Sequence, residues 1–452
     1  MKKRRILVVG GLAAGPSAAA KAARSNPNAE VMLFEAGDTI SYGICESPYV
    51  IGGSLPEEEK LVIYTPQRMK EEKRVDARVL HIVEKINPAK KYIVARDLQH
   101  QTSAEYPYDR LIIATGTLPR RLDVEHEDSR NVFHLHSRND AVEILGYVRA
   151  EKPAQAVIIG GGYVGIEMAE AFRSRGLEVT MLHRAPLPMG GLEKETRGKI
   201  LAELEKNKVT FIPEADADTF VTDKHERVRH VVTNRGTFET DIVLLSIGVE
   251  PNVALARNAG IRLGPSGGIL TDSRQQTSVE DIFAAGDCCE LKSAVTGKTM
   301  LLPLATLASK TGWVAGENAA GGRKLMNPVV RAMAVKIFDL AVAHVGISSD
   351  EARRAGFAVS TEMITAFGKV GLFPGAQKIT VHLIFDHKTH RVLGANLYGD
   401  EGAVLRADVL SAAIQHRMTI DDLSRLDLIY TPPYAPLWDP IVIAANQAMK
   451  KG

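Results

Sequence analysis

Residues 5–37 read RILVVGGLAAGPSAAAKAARSNPNAEVMLFEAG, and residues 156–185 read AVIIGGGYVGIEMAEAFRSRGLEVTMLHRA. Each stretch is an apolar run, a glycine-rich turn, a run of small and helix-forming residues, and a second apolar run. The same strand–turn–helix–strand unit is thus written twice, with Glu30-Val31 and Glu178-Val179 at the same step of the two copies. The second copy carries Gly160, Gly162 and Gly165 in G-x-G-x-x-G spacing. The first carries Gly10, Gly11 and Gly15, with Leu12 where the middle glycine usually sits. Glycines at such a turn let the backbone approach a pyrophosphate. The helix that follows offers free N–H groups and the positive end of its dipole, and Ala14 in one copy and Tyr163-Val164 in the other are read among the cofactor-binding residues. One fingerprint is a weak signal; two in one chain, each after a strand and before a helix, predict two Rossmann-like dinucleotide-binding units and an α/β fold.

The second strands of the two units end differently. Glu35 is placed to accept hydrogen bonds from the hydroxyls of an adenosine ribose, as for FAD or NAD. His183-Arg184 stands at the matching position of the second unit, where a carboxylate is missing and a cation would meet a 2′-phosphate. This favours NADPH over NADH, with use of both left open. Two further strand-like runs end in turns: Leu111 to Gly116, closing on Ala114-Thr115-Gly116, and Asp281 to Asp287, with an acid directly after Gly286.

The wider chain agrees with this. Its 452 residues suggest about three domains. Hydrophobic residues at 45% and charged residues at 24% exclude a disordered or fibrous chain. A net charge of +2 gives no basic field for nucleic acid or an anionic membrane surface, so small-molecule chemistry is the default. Three cysteines (Cys45, Cys288, Cys289) cannot form a disulfide framework and suit a reducing compartment. The basic-then-apolar start at Met1 to Val9 superficially looks like a secretory leader, but Gly10-Gly11 breaks it and an Ala-rich helix pattern follows. No run approaches the ~18 apolar residues of a membrane span. The expectation is a soluble, cytoplasmic protein.

With the two units, the Leu111–Gly116 run and the Gly286-Asp287 turn in this order, the chain resembles the FAD- and NAD(P)H-dependent pyridine nucleotide-disulfide oxidoreductases. The resemblance implies a glutathione-reductase-like fold. Residues 1–118 and 246–325 would form a discontinuous FAD domain and residues 119–245 the inserted NAD(P)H domain. Residues 326–452 would form an α+β dimerisation domain. It further implies that Asp287 binds the flavin's ribityl chain, and that Gly248, in the return crossing Leu244 to Asn252, lies among the cofactor-binding residues. In the last third, strand-like runs at Ile379–Phe385 and Val392–Tyr398 precede a helix from Leu405 to about His416.

Cys45 lies in Ser41-Tyr42-Gly43-Ile44-Cys45-Glu46-Ser47-Pro48-Tyr49, ten residues after Glu35. This is a loop or helix start, where a helix N-terminus would stabilise the thiolate. No second cysteine occurs before Cys288, so no local dithiol can form. A lone redox cysteine stores two electrons as a mixed disulfide, a persulfide or a sulfenic acid. Glu46 beside it would raise the thiol pKa, or serve as proton donor to a leaving thiolate. Cys288-Cys289 is read as structural, at what should be the start of a helix, and no metal-ligand spacing is present.

The segment resembles the single-cysteine branch of the family: coenzyme A disulfide reductases, NADH oxidases and persulfide or polysulfide reductases. Ser41, Cys45, Pro48 and Tyr49 match its active segment, while Ile44, Glu46 and Ser47 depart from it. By the same resemblance, Tyr430 and Tyr434 in the Tyr-Thr-Pro-Pro-Tyr turn would reach the partner subunit's cysteine. Lys21 and Arg24 would meet the phosphates of coenzyme A, with Ser41 at the substrate. Leu372-Phe373 stands where tyrosine is frequent in that branch. The implied activity is NAD(P)H-driven reduction of a small disulfide, persulfide or polysulfide through Cys45 and FAD, in a homodimer. The rivals are an NAD(P)H oxidase cycling through a Cys45 sulfenic acid and a flavoprotein redox sensor without turnover.

Overall fold

The computed structural model describes residues 3–55 and 61–451; Met1 and Lys2, the head of the leader-like pattern, lie outside the described residues. The first quoted stretch forms the strand Arg5–Val9, the helix Ala14–Ser25 and the strand Glu30–Phe34. The second forms the strand Gln155–Ile159, the helix Tyr163–Ser174 and the strand Glu178–His183. Both strand pairs are parallel and in the same register, Arg5 opposite Glu30 and Gln155 opposite Glu178. The strands are nearly continuous apolar runs because the sheets are buried on both faces.

The first five-stranded parallel sheet runs, edge to edge, Ile282–Ala284, Arg110–Ile113, Arg5–Val9, Glu30–Phe34 and Asp76–Arg78. The second runs Val209–Pro213, Glu178–His183, Gln155–Ile159, Ile242–Leu245 and Val132–His134. In each, the strand before the glycine turn lies between its own crossover partner and a strand from much later in the chain. This is the topological switch point at which doubly wound sheets bind ligands. Thr117–Pro119 and Val249–Pro251 pair antiparallel, so the outgoing and returning crossings run side by side.

The last third forms a five-stranded antiparallel sheet in the order Ala332–Ile337, Leu340–Gly346, Val392–Gly399, Lys378–Asp386 and Val359–Phe367. The helices Glu401–Gln415 and Pro440–Ala448 share a core with this sheet. Val335, Ile337, Leu340 and Val342 join instead the core of the second nucleotide unit. The helix expected from Leu405 starts earlier, at Glu401, because the Asp400 side chain accepts from the Gly402 N–H and caps it. Cys288-Cys289 does not open a helix, contrary to expectation. The pair sits in a turn where the Cys289 N–H bonds the Gly286 carbonyl and Cys289 bridges to Ile269, so its backbone is already committed; the next helix is Ala305–Ala319.

Large apolar side chains lie open on the C-terminal domain: Leu372 is 98% exposed and Tyr434 80%, with Leu405, Ile429, Leu437 and Trp438 also exposed. Large apolar side chains open to solvent are a feature of interaction faces. Among the described residues, no helix is long and apolar enough to cross a membrane.

Candidate functional site

The two glycine turns repeat the same contacts. Gly10 (φ +108°) and Gly160 (φ +112°) occupy a backbone region that side chains rarely adopt. A Cβ on Gly10 would fall 2.1 Å from the Ala114 carbonyl oxygen, and one on Gly160 2.2 Å from that of Ser246. A Cβ on Gly15 would fall 1.8 Å from the Gly10 oxygen, so the helix start is pressed onto the turn. At Gly162, by contrast, a Cβ would meet nothing within 4 Å. Protein packing therefore does not demand glycine at the middle position, and this is why Leu12 can stand there in the first unit.

At the strand ends, Glu35 accepts from the Gly11 N–H at 2.6 Å and from the Gly37 N–H at 2.7 Å. In the second unit the Nδ1 of His183 accepts from the Gly161 N–H at 3.1 Å. The imidazole thus takes over the carboxylate's bond to the turn. Burial, reinforced by Arg197 and Arg184, holds its pKa below the ordinary value, so it is a neutral acceptor and not the cation expected there. Arg197 is spent on the carbonyls of Leu187 and Pro188. Exposed Arg184 is the cation at this strand end. Around the crossing, the Thr115 hydroxyl donates to the Asn252 carbonyl at 2.6 Å, the Gly116 carbonyl accepts from the Asn252 N–H, and the Gly248 carbonyl accepts from the Arg120 N–H.

Asp287 lies beside the first turn with a buried Oδ1 that has no partner among the described residues, and burial pushes its carboxyl up to about 6. An orphaned buried acceptor next to a backbone cradle is what a hydroxyl-bearing ligand satisfies. With Glu35 and the Gly10–Gly15 turn, it fits the ribose, pyrophosphate and ribityl chain of FAD.

Cys45 occupies a turn ahead of the helix Ser47–Gly52, with Glu46 at the cap position. Ser41 ties this segment to the glycine turn, its N–H bonded to the Gly11 carbonyl at 2.8 Å. The expected stabilised thiolate is not what surrounds the sulfur. Its residue is exposed, but protein packed around one side of the thiol is the largest cause raising its pKa, followed by Glu46, Glu167 and Asp287. A helix of six residues contributes too little field to offset three carboxyl groups. Cys288 and Cys289 are buried, as expected for structural residues.

Sequence reasoning missed Glu167. It sits on the helix Tyr163–Ser174, and burial, then Glu170, raises its carboxyl to about 7. It acts on both Cys45 and Tyr49 electrostatically. The only signal in the sequence was its place two residues after Gly165, inside the fingerprint helix. Its neighbour Glu170 is occupied by Lys336 and the Phe338 N–H.

Other expected site residues are not gathered here. Lys21 pairs with Glu317 and lies 4.5 Å over the Trp313 ring, while Arg24 is exposed. Tyr430 and Tyr434, both exposed, stand just before and within the Thr431–Ala435 turn of the C-terminal domain, and among the described residues no hydrogen bond joins either to Cys45.

Residues 4–312 match the pyridine nucleotide-disulphide oxidoreductase family, and residues 332–439 match that family's dimerisation domain. The chain belongs to this family of oxidoreductases. It is 35% identical, over 99% of both chains, to an NAD(P)H sulfur oxidoreductase (CoA-dependent) of Pyrococcus furiosus. Among solved structures it resembles an NAD-dependent persulfide reductase from A. fulgidus, with TM-score 0.96 and 33% identity over 99% of this chain and 83% of the other. It also resembles the reduced CoADR-RHD of Bacillus anthracis, with TM-score 0.96 and 32% identity over 100% of this chain and 81% of the other.

Proposed function

We propose that this protein is a homodimeric, FAD-dependent NAD(P)H oxidoreductase that reduces a small disulfide, persulfide or polysulfide linked to coenzyme A, through Cys45. The observation that carries this reading is that Cys45 is the one exposed thiol of three, on a segment tied to the first glycine turn and within the electrostatic influence of Glu46, Glu167 and Asp287. Residues 1–118 and 246–325 are assigned to FAD, 119–245 to NAD(P)H and 326–452 to dimerisation. The exposed apolar face around Leu372 and Trp438 is the surface the second copy covers. The free thiols support a cytoplasmic location.

FAD, when bound, supplies the two-electron chemistry that links NAD(P)H to sulfur. The chain's own residues hold and prepare it. The glycine turns receive pyrophosphates, Glu35 and Asp287 accept from hydroxyls, and Arg184 meets a 2′-phosphate, which favours NADPH while leaving NADH usable. Cys45 attacks one sulfur of the substrate, forming a bond to it and releasing the other half as a thiolate. Two electrons from NAD(P)H then reopen that mixed disulfide. In sum, one disulfide, one NAD(P)H and one proton give two thiols and NAD(P)+. The raised thiol must lose its proton before attack, and Glu167, near neutrality, is suited to take it. Glu46 or the partner's Tyr430 or Tyr434 returns a proton to the leaving group. Lys21, freed from Glu317, and Arg24 meet the coenzyme A phosphates.

Cys45→Ser tests this. Flavin reduction by NADPH in the stopped flow is expected to persist while disulfide and polysulfide turnover is lost; undiminished turnover by the variant would overturn the proposal.

A further inference from the structure

Where the second nucleotide unit meets the C-terminal sheet there is a polar row in an otherwise apolar surface. His344, Asn396 and His382 lie side by side on three adjacent strands, His344 opposite Asn396 and Asn396 opposite His382. Asn396 is fully committed: its Oδ1 accepts from the Glu193 N–H at 2.8 Å, and its Nδ2 bonds the Nδ1 of His344 at 2.8 Å. His382 is only 6% exposed, and its Nδ1 has no hydrogen-bond partner among the described residues. That nitrogen is aimed at Glu195, whose Oε2 lies 3.8 Å away, too far for a hydrogen bond.

Glu193 and Glu195 open the helix Lys194–Lys206, Glu193 as its cap residue. Glu193 is buried, and its carboxylate is held in place by the backbone N–H and hydroxyl of Ser349, at 2.7 and 2.8 Å. One donor atom each from Glu193, Glu195 and His382 lies within 4.8 Å of the others. Among the described residues, neither glutamate has a lysine or arginine partner. Two converging carboxylates and a buried imidazole nitrogen that lacks a hydrogen bond therefore meet at this junction, and an unpaired buried nitrogen is a group that a ligand would satisfy.

We propose that Glu193, Glu195 and His382 bind one divalent first-row metal ion, zinc or manganese by donor type, that clamps the second nucleotide unit to the C-terminal sheet. Ligand distances of about 2.0–2.2 Å place two donors on one tetrahedral ion about 3.3–3.6 Å apart, so a set spread over up to 4.8 Å closes by at most about 1.5 Å, a movement that the half-exposed Glu195 side chain can supply. The donors suit this class, since imidazole favours zinc and carboxylates favour manganese. Ser349 provides the outer hydrogen bonds that orient a ligating carboxylate. Three protein donors leave positions for water, as in an open site. The role is structural and independent of the sulfur chemistry.

The test is calorimetric titration of the chelator-stripped, FAD-loaded protein with Zn(II) and separately with Mn(II), after alkylation of Cys45 so that its thiol cannot compete. One saturable equivalent per chain is expected, together with a rise in melting temperature on metal addition. Glu195→Gln, at a side chain 51% exposed, keeps the fold and is expected to weaken binding at least about 10-fold and to abolish the melting shift. His382→Gln is expected to do the same. The proposal is overturned if neither metal binds saturably to the wild type, or if Glu195→Gln binds with unchanged affinity. Because the readouts are binding and melting, failure here leaves the assignment of Cys45 untouched.

Discussion

Glu167→Gln removes the buried acid closest to neutrality and should change how stability depends on pH. An ordinary glutamate titrates near 4.5, and burial places Glu167 at about 7. Below pH 4.5 the carboxyl is protonated in the folded and the unfolded chain alike, and contributes nothing. Between 4.5 and 7 the unfolded chain has released the proton while the folded chain retains it, so stability falls as pH rises; above about 7 the fold carries the full cost of a buried charge. At about 1.36 kcal/mol per pKa unit, that cost is about 3 kcal/mol, an upper value because the side chain is partly exposed. Glutamine keeps the shape and cannot ionise. Urea unfolding followed by circular dichroism at pH 5 and pH 8 should therefore show the variant gaining up to about 2.5 kcal/mol on the wild type across that interval, since part of the cost is already present at pH 5. Taking the difference between the two proteins cancels Asp287, which titrates near 6 in both. Parallel pH curves would refute the reasoning and mean that the carboxylate is stabilised by a partner or by water.

Gly15→Ala places a methyl group 1.8 Å from the Gly10 carbonyl oxygen, so the purified variant should lack the flavin absorbance of the wild type; a fully flavinated variant would show that the turn is not the FAD cradle. Glu46→Gln removes the largest charge acting on the Cys45 thiol and should lower its pKa, seen as faster alkylation by iodoacetamide at pH 7, and an unchanged rate would rule out that coupling. Leu372→Asp combined with Trp438→Asp alters side chains open to solvent in the single chain. Light scattering should find a folded monomer, and an intact dimer would place the interface elsewhere.

The fold was legible because it is written in local terms. The switch from apolar run to glycine turn to helix needs no knowledge of distant residues, and both strand pairs formed in the register that Glu30 and Glu178 implied. Boundaries failed where a local bond outside the pattern took over. Asp400 caps its helix a turn before the apolar periodicity begins, and the backbone on either side of Cys289 is spent on Ile269, through the Cys288 carbonyl and the Glu290 N–H, instead of on a helix.

The segments that carry the candidate site were legible, whereas Glu167 and the electrostatics were not. Cys45, Glu46, Glu35 and Asp287 all stand in recognisable segments, but the charge state of a thiol is a sum over neighbours brought together by folding. Glu167 lies 122 residues beyond Cys45 in the chain and belongs to the other nucleotide unit, yet it raises the thiol. The same limit explains His183. Its position marked the absence of a carboxylate, but only the bond from Gly161 reveals that the imidazole keeps the acceptor's role and leaves the positive charge to Arg184. The two shifts run in opposite senses: the Cys45 thiol holds its proton tightly at rest, whereas burial and the neighbouring arginines leave the His183 imidazole neutral. A resting thiol among carboxyl groups is a poor nucleophile at neutral pH, so in the proposed reaction its attack depends on a base such as Glu167 to take its proton.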